Sequence, residues 1–318
     1  MIKLVKVTKK YNDITALSEF SLEIKSGMLM VLLGPSGCGK STAIKLINSL
    51  IRPTSGEIFI NNQNIKEINV TELRRSIGYT IQNTGLFPHY NVYDNIAVIP
   101  RLIKWDKKDI EKRVNYLLDL VGLNQKYKKK FPFELSGGEA QRVGVARALA
   151  ADPPILLMDE PFGSLDPLNR ERLQKEFYRI QKQLKKTVLF VTHDVEEAIR
   201  LAEKIAVMRK GTLVALGNPA DFISEDQEGY VKNFLGTEYA LKLLNRFLVQ
   251  EVMSDKNRNQ DEFPKISFQI SPTHTVAAAL AMMVSRNVKT IKVVNDNQQQ
   301  IGYIDFDDIL MRVFNGEK

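Results

Sequence analysis

Met28-Leu29-Met30-Val31-Leu32-Leu33-Gly34-Pro35-Ser36-Gly37-Cys38-Gly39-Lys40-Ser41-Thr42 runs from an unbroken apolar stretch into a glycine-rich loop that ends in a lysine and two hydroxyl residues. The stretch Met28 to Leu33 is short, lacks polar alternation and stops at a loop, the pattern of a strand buried on both faces of a parallel sheet. Residues 34 to 41 fit the spacing G-x-x-x-x-G-K-[ST] between a strand and a helix. Gly34, Gly37 and Gly39 let the backbone bend so that its N–H groups point inward, and the next helix presents its positive end at the same place. Lys40 adds a mobile positive charge, and the Ser41 hydroxyl can ligate Mg²⁺. A turn that merely joined strand to helix would need neither a lysine nor a hydroxyl after it. Residues 34 to 42, with Pro35, Ser36, Cys38 and Thr42 among them, therefore form a candidate phosphate-binding loop.

Further along the chain, Ile155 to Met158 and Val188 to Val191 repeat the pattern of a short, wholly apolar run bounded by loop residues. Longer helical patterns separate them, at Ser41 to Leu50, Glu139 to Ala150 and Pro167 to Leu184, and Asp109 to Val121 adds an amphipathic helix. Strands alternating with helices make residues 1–236 an α/β domain. Near Gly236 the pattern changes to one helix-like stretch, Glu238 to Val252, followed by the polar run Ser254 to Glu262. Residues 237–250 are thus expected to be a helical linker. Residues 251–318 read as a small α/β module: strand, helix (Val276 to Arg286), strand (Thr290 to Val294), polar turn, strand (Ile301 to Ile304) and a final helix.

The 318 residues suffice for a large domain and a smaller one. No apolar run approaches the roughly 20 residues that a membrane helix needs. The start, Met1 to Asp13, alternates like a strand and no apolar signal segment comes after its lysines, so the chain is expected to stay in the cytoplasm. The single cysteine, Cys38, cannot form an internal disulfide, and the three histidines, His89, His193 and His274, make no metal-binding spacing. The net charge of +8 raises nucleic-acid binding as a class. The lysines, however, sit mostly among acidic residues, and the tightest basic cluster, Lys126 to Lys130, lacks the aromatic interleaving of a stacking platform. Solvated helix faces are the reading adopted, with weak attraction to an anionic membrane surface left open.

The second apolar run ends in Asp159-Glu160, two adjacent carboxylates where a parallel strand meets its ligand crevice. Neighbours on a strand point opposite ways, which suits Asp159 as a metal partner and Glu160 as general base. The same pair could simply cap the next segment. The third run, Thr187 to Thr192, ends at His193, which is either a γ-phosphate contact or an ordinary loop residue.

Leu135-Ser136-Gly137-Gly138-Glu139-Ala140-Gln141-Arg142 lies between the glycine loop and the Asp159-Glu160 strand, and the set closely resembles the ATP-binding cassette (ABC) family over roughly residues 1 to 236. The resemblance implies ATP and Mg²⁺ as ligands and a P-loop NTPase fold with a helical subdomain. It further implies that Tyr11 stacks on adenine, that Gln82 links metal and water to a transmembrane partner, that Ser164-Leu165-Asp166 crosses between subunits, and that His193 contacts the γ phosphate. Each ATP would lie between the loop of one cassette and Ser136, Gly137 and Gly138 of another, so one cassette per chain implies a homodimer. Glu139 stands where the family most often has glutamine.

The segment Ile77 to Ile96, which includes Gln82 and Phe87, is similar to that of osmoprotectant importers for glycine betaine, carnitine or choline. That resemblance implies transmembrane permease subunits, an extracellular substrate-binding protein acting indirectly, and a peripheral place on the cytoplasmic face of the membrane. Glu251 to Ser254, Ile270 to Ala277 and Gly302 to Asp308 resemble one CBS module. Such modules often bind adenine nucleotides; here Asp305 would repel a phosphate while Asp308 could reach a ribose. A module that only dimerises is the alternative. Three other readings compete for the whole chain: an importer ATPase for an amino acid or its derivative, a cassette in translation or DNA repair, and a nucleotide-sensing regulator. The last two are disfavoured by the single cassette and the intact Glu160.

Overall fold

In the computed structural model, which describes residues 1–81, 85–163, 166–222, 229–236, 238–255 and 268–314, the alternating start of the chain forms β1 (Ile2–Tyr11). It pairs antiparallel with β2 (Ile14–Ile24), from Ile2 opposite Ile24 to Tyr11 opposite Ile14. β3 (Leu29–Leu33) is the apolar run ahead of the glycine loop, and every residue of it is buried. The loop leads into α1 (Lys40–Ile47), after which β4 (Ser55–Ile60) and β5 (Gln63–Asn64) join the first sheet in the order β2-β1-β4-β5. An α/β reading alone does not anticipate this antiparallel sheet. Register shifts along the β1–β2 pairing break the two-residue alternation that would have marked it.

Next in the chain come α2 (Val70–Arg75), β6 (Ile77–Thr80), α3 (Val92–Leu102), α4 (Lys107–Leu120), α5 (Gly137–Leu149) and β7 (Ile155–Asp159). α6 (Pro167–Leu184), β8 (Thr187–Thr192), α7 (Val195–Leu201), β9 (Lys204–Arg209) and β10 (Thr212–Gly217) complete this part of the chain. The second sheet has the order β10-β9-β3-β8-β7-β6. β9, β3, β8, β7 and β6 run parallel in that order. Like β3, β7 and β8 are buried at every position, which is why their sequences are apolar throughout. One core joins the two sheets: Leu4, Phe20 and Ile58 from the first, Leu32, Leu157 and Val191 from the second, and Ile44 and Ile47 of α1. α1 therefore has apolar packing on its inner side, and its N-terminus is held fixed at the sheet edge. The segment just beyond β7 is anchored by Phe162, whose ring lies 5.7 Å from Phe190 of β8 and 6.2 Å from Phe177 of α6.

By contact, the chain divides into Met1–Leu216 and Gly217–Lys318. The division falls ahead of the expected junction at Gly236, because residues after 217 associate with the later helices; the Tyr239 hydroxyl, for instance, donates 2.8 Å to the Pro219 carbonyl. Helices α8 (Tyr230–Leu235), α9 (Tyr239–Leu244) and α10 (Val249–Val252) lead into the C-terminal sheet. The single helix read over Glu238 to Val252 is thus corrected to two. Phe247 and Leu248 lie between the two helices, and the chain there pairs with residues 274–276, through Val249 N–H to the His274 carbonyl at 2.8 Å and Val276 N–H to the Phe247 carbonyl at 2.9 Å. Tertiary pairing overrides a locally helical pattern here. β11 (Ser254–Asp255), β12 (Gln269–Ile270), α11 (Val276–Arg286), β13 (Thr290–Val294), β14 (Gln300–Asp305) and α12 (Phe306–Ile309) complete the unit, the strands in the order β11-β14-β13-β12. β11 and β13 are antiparallel to β14, and β12 is parallel to β13.

Phe162 is buried among two other phenylalanines next to Glu160, so Phe162→Ala is expected to cost about 3–5 kcal/mol of stability. Urea unfolding of the two proteins, compared at equal slope, measures it.

Candidate active site

Two glycines shape the loop by what their missing side chains allow. Gly39 has φ +109°, and a Cβ there would lie 2.6 Å from the Ala16 carbonyl oxygen of β2. A Cβ on Gly34 would lie 2.6 Å from the Met208 carbonyl of β9 and 2.8 Å from Cys38 Sγ. The loop is thereby wedged between the two sheets, and Gly211 N–H donates to the Cys38 carbonyl at 2.9 Å to hold it there. Cys38 itself points into the core, where burial pushes its thiol pKa up despite the nearby Lys40. Its side chain anchors the loop, leaving only its backbone for a ligand.

The Lys40 ammonium curls over the loop and donates to the carbonyls of Gly34 at 2.6 Å and Pro35 at 2.9 Å. It is only 5% exposed. Lys40, Ser41 and Thr42 are the first residues of α1, and first-turn N–H groups have no partner within their own helix. A buried positive charge and a helix N-terminus thus converge on one small volume, as an anion requires.

Parallel register brings the other candidates to the same edge. Leu33 is paired with Thr192, and Asp159 with Val191, so the C-terminal ends of β3, β8 and β7 lie side by side. The Ser41 hydroxyl donates to Asp159 Oδ1 at 3.2 Å, bridging α1 to β7. Asp159 is 5% exposed, and burial raises its pKa against the lowering effect of Ser41. Hydroxyl and carboxylate oxygens are the hard donors that Mg²⁺ prefers, and Mg²⁺ commonly takes one or two carboxylates and fills its remaining positions with phosphate and water. The donor set fits that ion. Among the described residues no group of three or more His, Cys, Asp or Glu could hold a metal without such help.

Glu160 departs from β7 with φ +46°, a left-handed conformation unfavourable for its side chain. Its N–H donates to the Val191 carbonyl at 3.0 Å, and its own carbonyl accepts from Gln141 Nε2 at 3.1 Å. This backbone turn aims the carboxylate at His193, whose Nδ1 lies 3.0 Å from Glu160 Oε1. Glu160 is 16% exposed and His193 57%. The two candidates read separately in the sequence thus form one hydrogen-bonded pair, open to an incoming substrate. Gln141, on α5, is a positioning contact that sequence reasoning missed; it lies within the stretch Leu135 to Arg142, but no spacing rule connects it to the backbone of Glu160.

Tyr11 lies at the β1–β2 hairpin, 43% exposed, with Lys9 Nζ 4.9 Å from the ring centre. The hairpin includes the strand whose Ala16 carbonyl closes on Gly39, so its exposed ring stands on the element that walls the loop. Gln82, Ser164 and Leu165 lie outside the described residues; Asp166 lies immediately before α6 and its carbonyl accepts from Arg170 N–H at 2.9 Å.

Ser136, Gly137 and Gly138 are elsewhere, at the solvent-facing start of α5. Ser136 is its N-cap: Ser136 Oγ accepts from Glu139 N–H at 3.3 Å, and Glu139 Oε2 accepts from Ser136 N–H at 2.8 Å. Glu139 Oε1 also accepts from the Tyr127 hydroxyl at 2.5 Å. The carboxylate where glutamine is commoner therefore closes a capping box and takes a third bond. Tyr127 and the Ser136 backbone hold its pKa below the ordinary value. Among the described residues no hydrogen bond joins Ser136, Gly137 or Gly138 to the loop, Asp159, Glu160 or His193.

A family model described as ABC transporter matches residues 17–163. Over 310 residues the chain is 42% identical to the choline transport ATP-binding protein OpuBA of Bacillus subtilis, covering 97% of this chain and 79% of that one. Identity to the glycine betaine uptake system ATP-binding protein YehX of Escherichia coli is 41% over 312 residues, covering 98% of this chain and 99% of the relative. The dimeric structure of a post-hydrolysis state of the ATP-binding cassette MJ0796, bound to ADP and Pi, superposes with a TM-score of 0.64 at 34% identity, covering 69% of this chain and 98% of that one.

This geometry sets two expected outcomes. A carboxyl whose folded pKa is lowered adds stability that is complete above its unfolded pKa, ordinarily 4.5, and that is lost as pH falls through the lowered value. Glu139→Gln keeps the capping box, so its unfolding free energy should decline less on acidification below that range than the wild type's, as urea titrations at a series of pH values would record. Glu160→Gln should lower ATP turnover about a hundredfold or more while ATP still binds, through loss of the base; phosphate release and equilibrium nucleotide binding, measured on the same preparation, separate the two effects.

Proposed function

The chain belongs to the ABC transporter family, as its ATP-hydrolysing component, and we propose that it powers an importer of quaternary-amine osmoprotectants such as glycine betaine, carnitine or choline. The observation that carries the chemistry is the meeting of Lys40 and Ser41 with Asp159 and the Glu160–His193 pair at one edge of the parallel sheet. The cargo reading rests on where the likeness extends: the choline and glycine betaine relatives match this chain across both units, at 97% and 98% of its length.

In this reading the Lys40 ammonium exchanges the carbonyls of Gly34 and Pro35 for oxygens of the terminal phosphates. The backbone of residues 34 to 42 surrounds the remaining phosphates, and Tyr11 offers its exposed ring to the adenine. Ser41 and Asp159, with Gln82 by family resemblance, would hold Mg²⁺, which when bound neutralises phosphate charge. The Glu160 carboxylate takes the proton of the attacking water. With Nδ1–H given to Glu160, the His193 ring keeps Nε2 for the γ phosphate, to which it donates only when that nitrogen also carries a proton. Ser136, Gly137 and Gly138 of a second copy, with Asp166 near the crossing, complete each site, so the working species is a homodimer.

Transmembrane permease subunits are the partners through which hydrolysis does work, and an extracellular substrate-binding protein acts through them. Among the described residues no helix is long and apolar enough to cross a membrane; we place the chain on the cytoplasmic face, bound to its permease. A groove of about 320 Å³ beside Tyr79, Ile81, Phe87 and Arg147 is the docking place we assign to that permease. Its wall is stiffened where Arg147 donates to the Gly85 carbonyl at 2.7 Å and lies over the Phe87 ring.

For the C-terminal unit we favour a CBS-like dimerisation module over an adenine-nucleotide sensor. Asp308, the candidate ribose contact, is buried and accepts from the Ser254 hydroxyl at 2.9 Å. Asp305 caps α12 by accepting from Asp308 N–H at 2.6 Å. Both carboxylates already have structural work.

Reconstitution of the chain with its co-purifying permease in vesicles tests the whole reading. ATP-dependent uptake of glycine betaine, carnitine or choline, with no uptake of unrelated amino acids, is the expected result. Uptake of an amino acid instead would move the cargo, and failure to capture any membrane partner would sink the importer.

A further inference from the structure

On either side of His193 the backbone is tied down by a buried polar network that none of the roles above uses. Thr192, the last residue of β8, donates from Oγ1 to Glu197 Oε2 at 2.6 Å. The other carboxylate oxygen of Glu197 accepts from Gln174 Nε2 of α6 at 2.9 Å, and Gln174 Oε1 accepts from Arg200 Nη1 at 3.2 Å. On the far side of the histidine, Asp194 N–H donates to Thr192 Oγ1 at 3.0 Å, and Asp194 Oδ1 accepts from the backbone N–H groups of Glu196 and Glu197 at 2.8 and 3.3 Å. Glu197 is 5% exposed, and Thr192 and Gln174 are more deeply buried still.

A buried carboxylate is costly unless its oxygens are bonded. Burial pushes the Glu197 carboxyl up from its ordinary pKa, and the bonds from Thr192 and Gln174 work against that rise. An apolar residue at 197 would pack α7 with none of that cost, since Ala198, Ile199 and Leu201 already bury the helix. The acid holds three elements, the end of β8, α6 and α7, in one register. His193 is the exposed residue suspended between the two residues it fixes.

We propose that Glu197 is a positioning residue: through Thr192 and Asp194 it sets the orientation of His193 toward Glu160, and through Gln174 it ties that orientation to α6, the helix that begins directly after Asp166. It touches neither the nucleotide nor the reacting atoms. A shift of α6 would reach His193 through the side chains of Gln174, Glu197 and Thr192, and a shift of His193 would reach the Asp166 end of α6 by the same path. The inference rests on the catalytic reading of His193 given above, but the geometry it asserts does not.

The test uses the full chain and two readouts. With three histidines in the sequence, imidazole ¹⁵N NMR of histidine-labelled protein resolves His193 from His89 and His274. Wild type should show His193 with its proton on Nδ1, bonded to Glu160. Glu197→Ala, and Thr192→Val as the milder variant should the first fail to fold, should shift or average the His193 resonances while leaving those of His89 and His274 in place. In the same variants kcat for ATP should fall about tenfold with KM within about twofold, the pattern of a lost transition-state contact. Glu197→Gln, which keeps a hydrogen-bonding group on both sides, should restore most of both signals. Unchanged His193 resonances in folded Glu197→Ala or Thr192→Val would overturn the proposal whatever the activity. Altered resonances with unaltered kcat would leave the positioning intact and remove the catalytic role of His193 instead.

Discussion

The pairing of Leu33 with Thr192 and of Asp159 with Val191 is the constraint on which the site depends. Three strands that end level present three loops to one crevice, and each loop brings a different chemistry: positive charge from β3, carboxylates from β7 and an imidazole from β8. A shift of one residue in either pairing would reverse which face each side chain occupies. The apolar sequences of the three strands resist such a shift, because both faces of each are packed. The tolerance of the site for error is set by a hydrophobic core that none of its own residues joins except Cys38.

Glu160 carries local backbone strain that its surroundings offset. A non-glycine residue at positive φ costs on the order of 1–3 kcal/mol, and it persists where neighbours over-determine it. Val191 accepts the Glu160 N–H, Gln141 donates to its carbonyl, and Phe162 anchors the chain two residues on. The conformation lets consecutive carboxylates diverge, Asp159 toward Ser41 and Glu160 toward His193. Regular strand geometry would also separate them, but it would carry Glu160 onward along the sheet rather than turn it across the strand end to β8.

Much of this architecture is legible in the sequence alone. The glycine loop and the all-apolar strands state their own burial, and α6, α11 and β8 fall where periodicity puts them. The antiparallel sheet does not declare itself, since β2 carries irregular register and mixed exposure. Nor does the break between α9 and α10, where a long-range pairing with residues 274–276 outweighs local preference. At the site, residue identity reveals Lys40, Ser41, Asp159 and Glu160, but not that His193 bonds to Glu160 or that Gln141 supports it. Glu196 and Glu197 are indistinguishable in sequence; one is solvated and the other is buried beneath Thr192. Such differences arise from tertiary contacts between segments far apart in the chain, which composition and spacing do not encode.

In the proposed dimer, Ser136, Gly137 and Gly138 would connect this site to mechanical work. Ser136 commits its hydroxyl to the cap of α5, and Glu139 balances the positive helix end while bonding Tyr127. The N–H groups of Gly137 and Gly138 belong to the first turn and have no partner inside the helix, and a Cβ on Gly137 would meet nothing within 4 Å. An open, glycine-lined helix start facing solvent suits an anion that arrives from outside the chain. In the proposed dimer that anion is the nucleotide already seated on the loop of the other copy. The nucleotide itself would then join two protein surfaces that are separate in each chain, and departure of its cleavage products would remove the bridge. In that proposed dimer, coupling to a permease would rest on a joint between two copies that lasts only while the nucleotide or its cleavage products hold it.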